Sequence, residues 1–233
     1  MRRLLLRLFI AFVMTAPPAD AECRLALALA MDVSRSVDAA DFAIQTEGLS
    51  LALEDPEVQR AILGQGGSVA LAVYQWSGVN HQEILQDWMV IEGPEQLDRV
   101  IWAVRAARRP EIGRLTALGE AMRFGVALLA RAPPCERRVL DVAGDGQNNE
   151  GISVKALRDR VDFSGLTVNG LAIGEHEQGL TRYFQNHVIS GPGAFVEVAP
   201  RQIDFPPAIR RKLLRELSEP EIGGLPLAER PRG

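Results

Sequence analysis

Nearly unbroken apolar runs of strand length recur along the chain, and most of the stretches between them carry helical spacing. Arg24–Met31 and Leu166–Ile173 are almost continuously apolar, and Ser68–Trp76 and Arg138–Ala143 have the same length and character. A strand that alternates has one face in water. One that does not is buried on both faces, as in a parallel sheet covered by helices on each side.

The intervening segments supply those helices. Asp38–Leu53 places Phe42, Ile44, Leu49, Leu51 and Leu53 behind an acidic first turn, which favours a helix N-terminus. Asp55-Pro56 ends that helix or begins a new turn. Ser68–Trp76 and Glu83–Ile91 are separated by a link so short, around Ser77-Gly78-Val79-Asn80, that the two strands must run antiparallel. Glu92-Gly93-Pro94 opens a helix expected to reach about Arg108, and Gly113–Ala130 contains another that starts near Thr116. Gly151–Val161 and Leu180–Val188 read as helices and Ala194–Val198 as a sixth short strand. Ile203–Leu217 reads as a closing amphipathic helix interrupted early by Pro206-Pro207. The expected fold is α/β: a doubly wound, mostly parallel six-stranded sheet with one antiparallel edge strand. No linker divides the 233 residues, so one domain is expected over residues 22–218, followed by a loose tail over 219–233.

The first 21 residues have the layout of an export signal: Arg2, Arg3 and Arg7, the apolar stretch Leu8–Met14, and Ala19-Asp20-Ala21 as a small-x-small cleavage site. That stretch is too short for a bilayer core, which needs about 20 residues. Cleavage would place the mature chain in a periplasmic or secreted setting with no membrane span. It takes three arginines and one aspartate off the 26 basic and 30 acidic residues, leaving a formal net charge of −6. Nucleic acid is therefore not an expected partner.

Side chains with chemistry gather at the ends of the expected strands. Asp32-Val33-Ser34-Arg35-Ser36 follows the first, Asp145-Gly146 follows the fourth, and Thr116 precedes a helix. Ser34 and Ser36 alternate, so both hydroxyls can face one way while Val33 and Arg35 face the other. Two carboxylates and three hydroxyls suit a hard cation, Mg²⁺ first, with Mn²⁺ or Ca²⁺ as alternatives, and Mg²⁺ sites usually leave a position open. Each fragment alone is also common in turns and helix caps.

Taken together, these residues resemble the metal-ion-dependent adhesion site of the von Willebrand factor A (vWA) domain: Asp-x-Ser-x-Ser, a distant Thr, and an Asp followed by Gly. The matching positions are Asp32, Ser34, Ser36, Thr116 and Asp145, and the chain is similar to secreted bacterial vWA-like proteins across about residues 24–200. Asp141–Asn149 forms the second signature, with Gly144 where many such domains carry Thr or Ser. The resemblance implies a non-enzymatic module in which an Asp or Glu of a partner protein completes the metal sphere, with Arg35, Trp76, Arg114, Gln147 and Asn148 as candidate rim residues. Two readings compete with it. One is a metal-assisted hydrolase using Glu175, His176 or Glu177 as base, and the other is a vWA-like scaffold whose metal site is vestigial.

Two cysteines in an exported chain allow a single internal bridge, and two free thiols are the alternative. Cys23 lies nine residues before Asp32 and Cys135 ten before Asp145, so on neighbouring parallel strands both fall near the sheet edge opposite the metal residues. The one-residue mismatch implies a bulge or a frayed end.

Overall fold

The structure, a computed structural model, describes residues 23–64, 66–110, 114–174 and 179–218. The expected leader and the expected tail lie outside these residues. The elements follow in the order β1 (Cys23–Asp32), α1 (Ala39–Glu54), α2 (Pro56–Leu63), β2 (Ser68–Trp76), β3 (Gln82–Ile91), α3 (Pro94–Arg105), α4 (Leu118–Ala130), β4 (Cys135–Gly144), α5 (Val154–Arg158), β5 (Thr167–Ile173), α6 (Leu180–Tyr183), β6 (Val196–Ala199) and α7 (Phe205–Leu217). A π turn, Phe184–Val188, extends α6, and a 3₁₀ turn, Gln202–Asp204, leads into α7.

The strands form one sheet in the order β3-β2-β1-β4-β5-β6. Only the β2–β3 pair is antiparallel; the other pairs are parallel. This is the expected α/β architecture, with β3 as the antiparallel edge. Alternation along β1 sorts the two faces. Leu25, Leu27, Leu29 and Met31 face the core under α1, α2, α3 and α7, while Ala26, Ala28 and Ala30 face α4, α5 and the α6 region. Gly125 lets α4 approach this face closely: a Cβ there would sit 2.5 Å from Leu140 Cδ1 and 2.7 Å from the Tyr74 hydroxyl.

At Asp55-Pro56 both expected outcomes hold, since Asp55 closes α1 and also caps α2, accepting from the backbone N–H groups of Glu57 and Val58. Several boundaries differ from the sequence reading. Pro206 and Pro207 stand in the first turn of α7, where N–H groups have no helical partner, and they start the helix instead of interrupting it. The helix expected over 151–161 contracts to the five residues of α5, and α3 ends at Arg105.

Cys23 and Cys135 form a disulfide with Cα atoms 4.4 Å apart. They are direct register partners, and β1 and β4 keep the same offset up to Ala30 and Val142 without a bulge. The bulge at Cys23/Leu25 lies instead between β1 and β2. The mismatch is therefore taken up at the far end: the offset would set Gly144 beside Asp32, and Asp145 stands one residue further out.

Candidate metal centre

The sheet order reverses between β1 and β4, one leading to β2 and the other to β5. Loops leave such a point in opposite directions and open a crevice at the carboxyl ends of the strands. Asp32 is the last residue of β1, and Asp145 is the first after β4.

Asp32 is wholly buried. Its Oδ1 accepts the Ser34 backbone N–H at 2.7 Å, and its Oδ2 accepts that of Asp145 at 3.4 Å. The hydroxyls continue outward from there. Ser34 Oγ lies 3.2 Å from Ser36 Oγ, Thr116 Oγ1 donates to Ser34 Oγ at 3.3 Å, and Ser36 Oγ donates to Asp145 Oδ1 at 2.6 Å. All five residues singled out in the sequence thus meet in one place. Ser34, Thr116 and Asp145 are buried and Ser36 is exposed, so the cluster opens to solvent on the Ser36 side.

Thr116 comes from a loop 82 residues beyond Ser34, and its position depends on residues that the sequence reading gave no such role. Asn149 holds it from both sides: Asn149 Oδ1 accepts the Thr116 N–H at 2.8 Å, and the Asn149 N–H donates to the Thr116 carbonyl at 2.9 Å. α4 begins without a capping side chain of its own, and Asn148 Oδ1 supplies the acceptor by binding the Gly119 N–H at 2.8 Å. Gly119 permits this approach, since a Cβ there would fall 2.0 Å from the Ile152 carbonyl oxygen. The two consecutive amides after Asp145-Gly-Gln thus divide the work, Asn148 serving the uncapped helix start and Asn149 holding Thr116.

The expected rim divides. Arg35 and Arg114 are exposed and adjacent, the Arg35 N–H donating to the Arg114 carbonyl at 2.8 Å, while Gln147 and Asn148 are half-buried. Trp76 is not a rim residue. It is fully buried, because it ends a strand covered on both faces, and its ring packs under the site: a Cβ at Gly144 would meet Trp76 Cζ2 at 3.5 Å and Asp32 Oδ2 at 3.3 Å. Glu175, His176 and Glu177 lie outside the described residues.

Burial, and then the neighbouring Asp145 carboxylate, push Asp32 up to about 7, against the hydrogen bonds from Ser34 and Asp145. The donor set is all oxygen. Among the described residues no three His, Cys, Asp or Glu side chains gather into a metal cluster, so hydroxyls would have to provide most of the ligands here. The spacing allows it. Adjacent ligands are about 3 Å apart around octahedral Mg²⁺ and about 3.5 Å apart around Ca²⁺, and the 3.2 and 3.3 Å hydroxyl separations lie between.

The fold is similar to that of proximal thread matrix protein 1 from the mussel byssus, with a TM-score of 0.62 and 10% identity over 84% of this chain and 49% of that one. A von Willebrand factor type A protein from Catenulispora acidiphila matches at 0.60 and 12%, over 84% and 43%. The pilus adhesin SpaC from Lactobacillus rhamnosus GG matches at 0.61 and 14%, over 85% and 31%. The mussel protein is also known with a zinc-occupied MIDAS motif, a form that matches at 0.56 and 12%, over 84% and 48%. The chain spans less than half the length of these proteins, and at such identities the likeness speaks to the fold, which is vWA-like. No curated protein matches the chain. A model of the family described as a protein of unknown function (DUF1194) matches residues 22–221, and the chain belongs to that family.

Proposed function

We propose that this protein is an exported, non-enzymatic binding module that uses a Mg²⁺-dependent adhesion site to capture a carboxylate of a partner protein. One observation carries the reading. Asp32 is a fully buried carboxylate beside a second one, and the influences that set its charge are burial, Asp145 and hydrogen bonds, with no cation among the described residues. Burying it costs free energy that the hydrogen bonds from Ser34 and Asp145 offset only in part. A divalent cation among Asp32, Ser34, Ser36, Thr116 and Asp145 would offset the rest and would keep an open position for an external Asp or Glu.

The chain's own residues set the order of events. Asp32 and Ser34 are fixed by the end of β1, Thr116 by Asn149, and Asp145 by its N–H bond to Asp32, so four oxygen donors are in place before a partner arrives. Ser36, exposed and bound to Asp145, stands where the ligand enters. The zinc-occupied motif of the mussel protein supports cation binding at a site of this type, while the all-oxygen donors here favour Mg²⁺, Mn²⁺ or Ca²⁺. The disulfide accords with export, and no helix among the described residues is long and apolar enough to cross a membrane.

The test is thermal unfolding of EDTA-stripped protein during titration with Mg²⁺, Mn²⁺, Ca²⁺ and Zn²⁺, alongside Asp32→Ala. A Mg²⁺-dependent rise in Tm that Asp32→Ala abolishes supports the proposal. An equal response of both proteins ends it. Turnover of an ester or phosphoester panel in the presence of Mg²⁺ would move the reading to a hydrolase.

A further inference from the structure

A second set of ionisable side chains meets inside the molecule, on the face of the sheet covered by α7. Asp141 of β4, Lys212 and Glu216 of α7 and Asn169 of β5 are all buried, with Lys212 0%, Glu216 1%, Asp141 2% and Asn169 3% exposed. Lys212 Nζ lies 2.6 Å from Asp141 Oδ1 and 2.5 Å from Glu216 Oε1. Asn169 Nδ2 donates to the same Glu216 Oε1 at 2.8 Å, and Asn169 Oδ1 accepts the Phe195 N–H at 3.1 Å. The Phe195 ring, 5.2 Å from Lys212 Nζ, covers the group, with the Arg215 guanidinium 3.8 Å away over the ring.

As three separate ions this cluster is poorly satisfied. It would carry one net negative charge in a dry interior. Both Asp141 oxygens and Glu216 Oε2 are buried without a well-directed hydrogen bond among the described residues. Lys212 stabilises the ionised Asp141 through its charge and its contact, but it faces two carboxylates at once, so Glu216 leaves one negative charge in excess. Burial, and then the charge of Glu216, push Asp141 up to about 7, which favours the protonated carboxyl. A protonated carboxyl, an amine and a neighbouring carboxylate held together away from water are the components of an amide condensation.

We propose that Lys212 and Asp141 condense into an intramolecular amide that ties α7 to β4, with Glu216 relaying the protons. Glu216 takes a proton from the Lys212 ammonium, and the freed Nζ attacks Cγ of the protonated Asp141 carboxyl, forming the C–N bond. Glu216 hands its proton to the departing hydroxyl, the C–O bond breaks, and one water leaves. The second proton shed by Nζ stays on Glu216. No oxidant or activating group is needed, and nothing is oxidised or reduced. A cation and an anion are replaced by a neutral amide and a neutral acid, which removes the buried charge. Two features promote the step: the reacting groups are already oriented, so it is effectively unimolecular, and the relay acid touches the amine. The released water does not return easily to a site closed by Phe195.

The product would staple the last helix to the central strand, complementing the disulfide that joins β1 to β4. The test is tandem mass spectrometry of digests of the purified, disulfide-bonded chain. The expected result is a branched peptide joining the Asp141 and Lys212 segments, lighter than their sum by one water. Lys212→Arg keeps the positive charge and Glu216→Gln keeps the shape, and both should lose the branched peptide completely. Should either variant fail to fold, the wild-type digest decides alone. Recovery of the Asp141 and Lys212 peptides from the folded wild type only as linear species would overturn the proposal, leaving a buried ion triad. Undiminished cross-linking in Glu216→Gln would overturn the relay.

Discussion

Replacing Asp32 by Asn should stabilise the metal-free protein while abolishing its response to Mg²⁺. The Asp32 carboxyl moves from 3.8 to about 7 on folding, chiefly through burial. The folded state therefore holds this proton to higher pH than the unfolded chain does. Stability from this group is complete below 3.8, falls as pH rises from 3.8 to about 7, and stays reduced above. A shift of that size amounts to on the order of 4 kcal/mol at pH 8. Asn removes the ionisation and keeps an oxygen for the Ser34 N–H at 2.7 Å, but its NH₂ then faces the Asp145 N–H, at a cost of about 1 kcal/mol. The net gain expected in EDTA at pH 8 is about 2 to 3 kcal/mol, and it should shrink toward pH 5. Urea unfolding of both proteins at the two pH values, with EDTA and then with Mg²⁺, measures this directly. Asp141, free or condensed with Lys212, is common to both proteins, so its contribution cancels in the difference. If Asp32→Asn is the less stable protein at pH 8 in EDTA, the carboxylate stabilises the fold and the argument from buried charge is wrong.

Three further outcomes follow from the same geometry. Removing the disulfide as Cys23→Ala/Cys135→Ala frees a loop of 112 residues in the unfolded chain and should cost about 4 to 5 kcal/mol in guanidinium unfolding, with the Mg²⁺ response intact because the bridge lies at the opposite end of β1 and β4. Thr116→Val keeps the shape and removes one hydroxyl, so Mg²⁺ should raise Tm less than in the wild type, while stability in EDTA changes by less than about 1 kcal/mol. Gly119→Ala drives a Cβ to within 2.0 Å of the Ile152 carbonyl oxygen, and the resulting shift of α4 from the Asn148-Asn149 loop should cost about 1 to 3 kcal/mol and weaken the Mg²⁺ response, both visible in one thermal titration.

The strands were legible because burial on both faces leaves a composition that few other environments tolerate: β1, β2 and β5 were located to within a residue or two from apolar character alone. Helix ends were harder to read. Whether Pro206 breaks or begins a helix depends on where the first turn falls, and the 3₁₀ turn before Phe205 decides it. The convergence of Asp32, Ser34, Ser36, Thr116 and Asp145 was readable because each marks the end of an element at the same edge of the sheet. The bracing by Asn148 and Asn149 was not, since an amide that caps a distant helix has the same sequence appearance as one in an ordinary turn. Trp76 was misplaced for a related reason: a residue at the end of a strand can face the crevice or the layer beneath it, and only packing against Gly144 tells which.

Asp32 and Asp141 make an internal comparison. They lie on adjacent central strands, both are fully buried, and both are raised to about 7 with burial as the leading cause and a neighbouring carboxylate as the second. Asp141 has Lys212 at 2.6 Å from within the chain. Asp32 has hydroxyls and a second aspartate, and its edge of the cluster opens to solvent through Ser36. On the proposed function, the same electrostatic problem is met from within the chain beneath α7 and by an external cation at the carboxyl edge of the sheet. If that contrast is correct, a lysine or arginine delivered to the Asp32 cluster by substitution should take over the role of the metal. Ser36→Lys, entering from the exposed side, should raise Tm in EDTA toward the Mg²⁺-loaded wild-type value and make it insensitive to added Mg²⁺. A Ser36→Lys protein no more stable in EDTA than the wild type would show that positive charge alone is not what the cluster lacks.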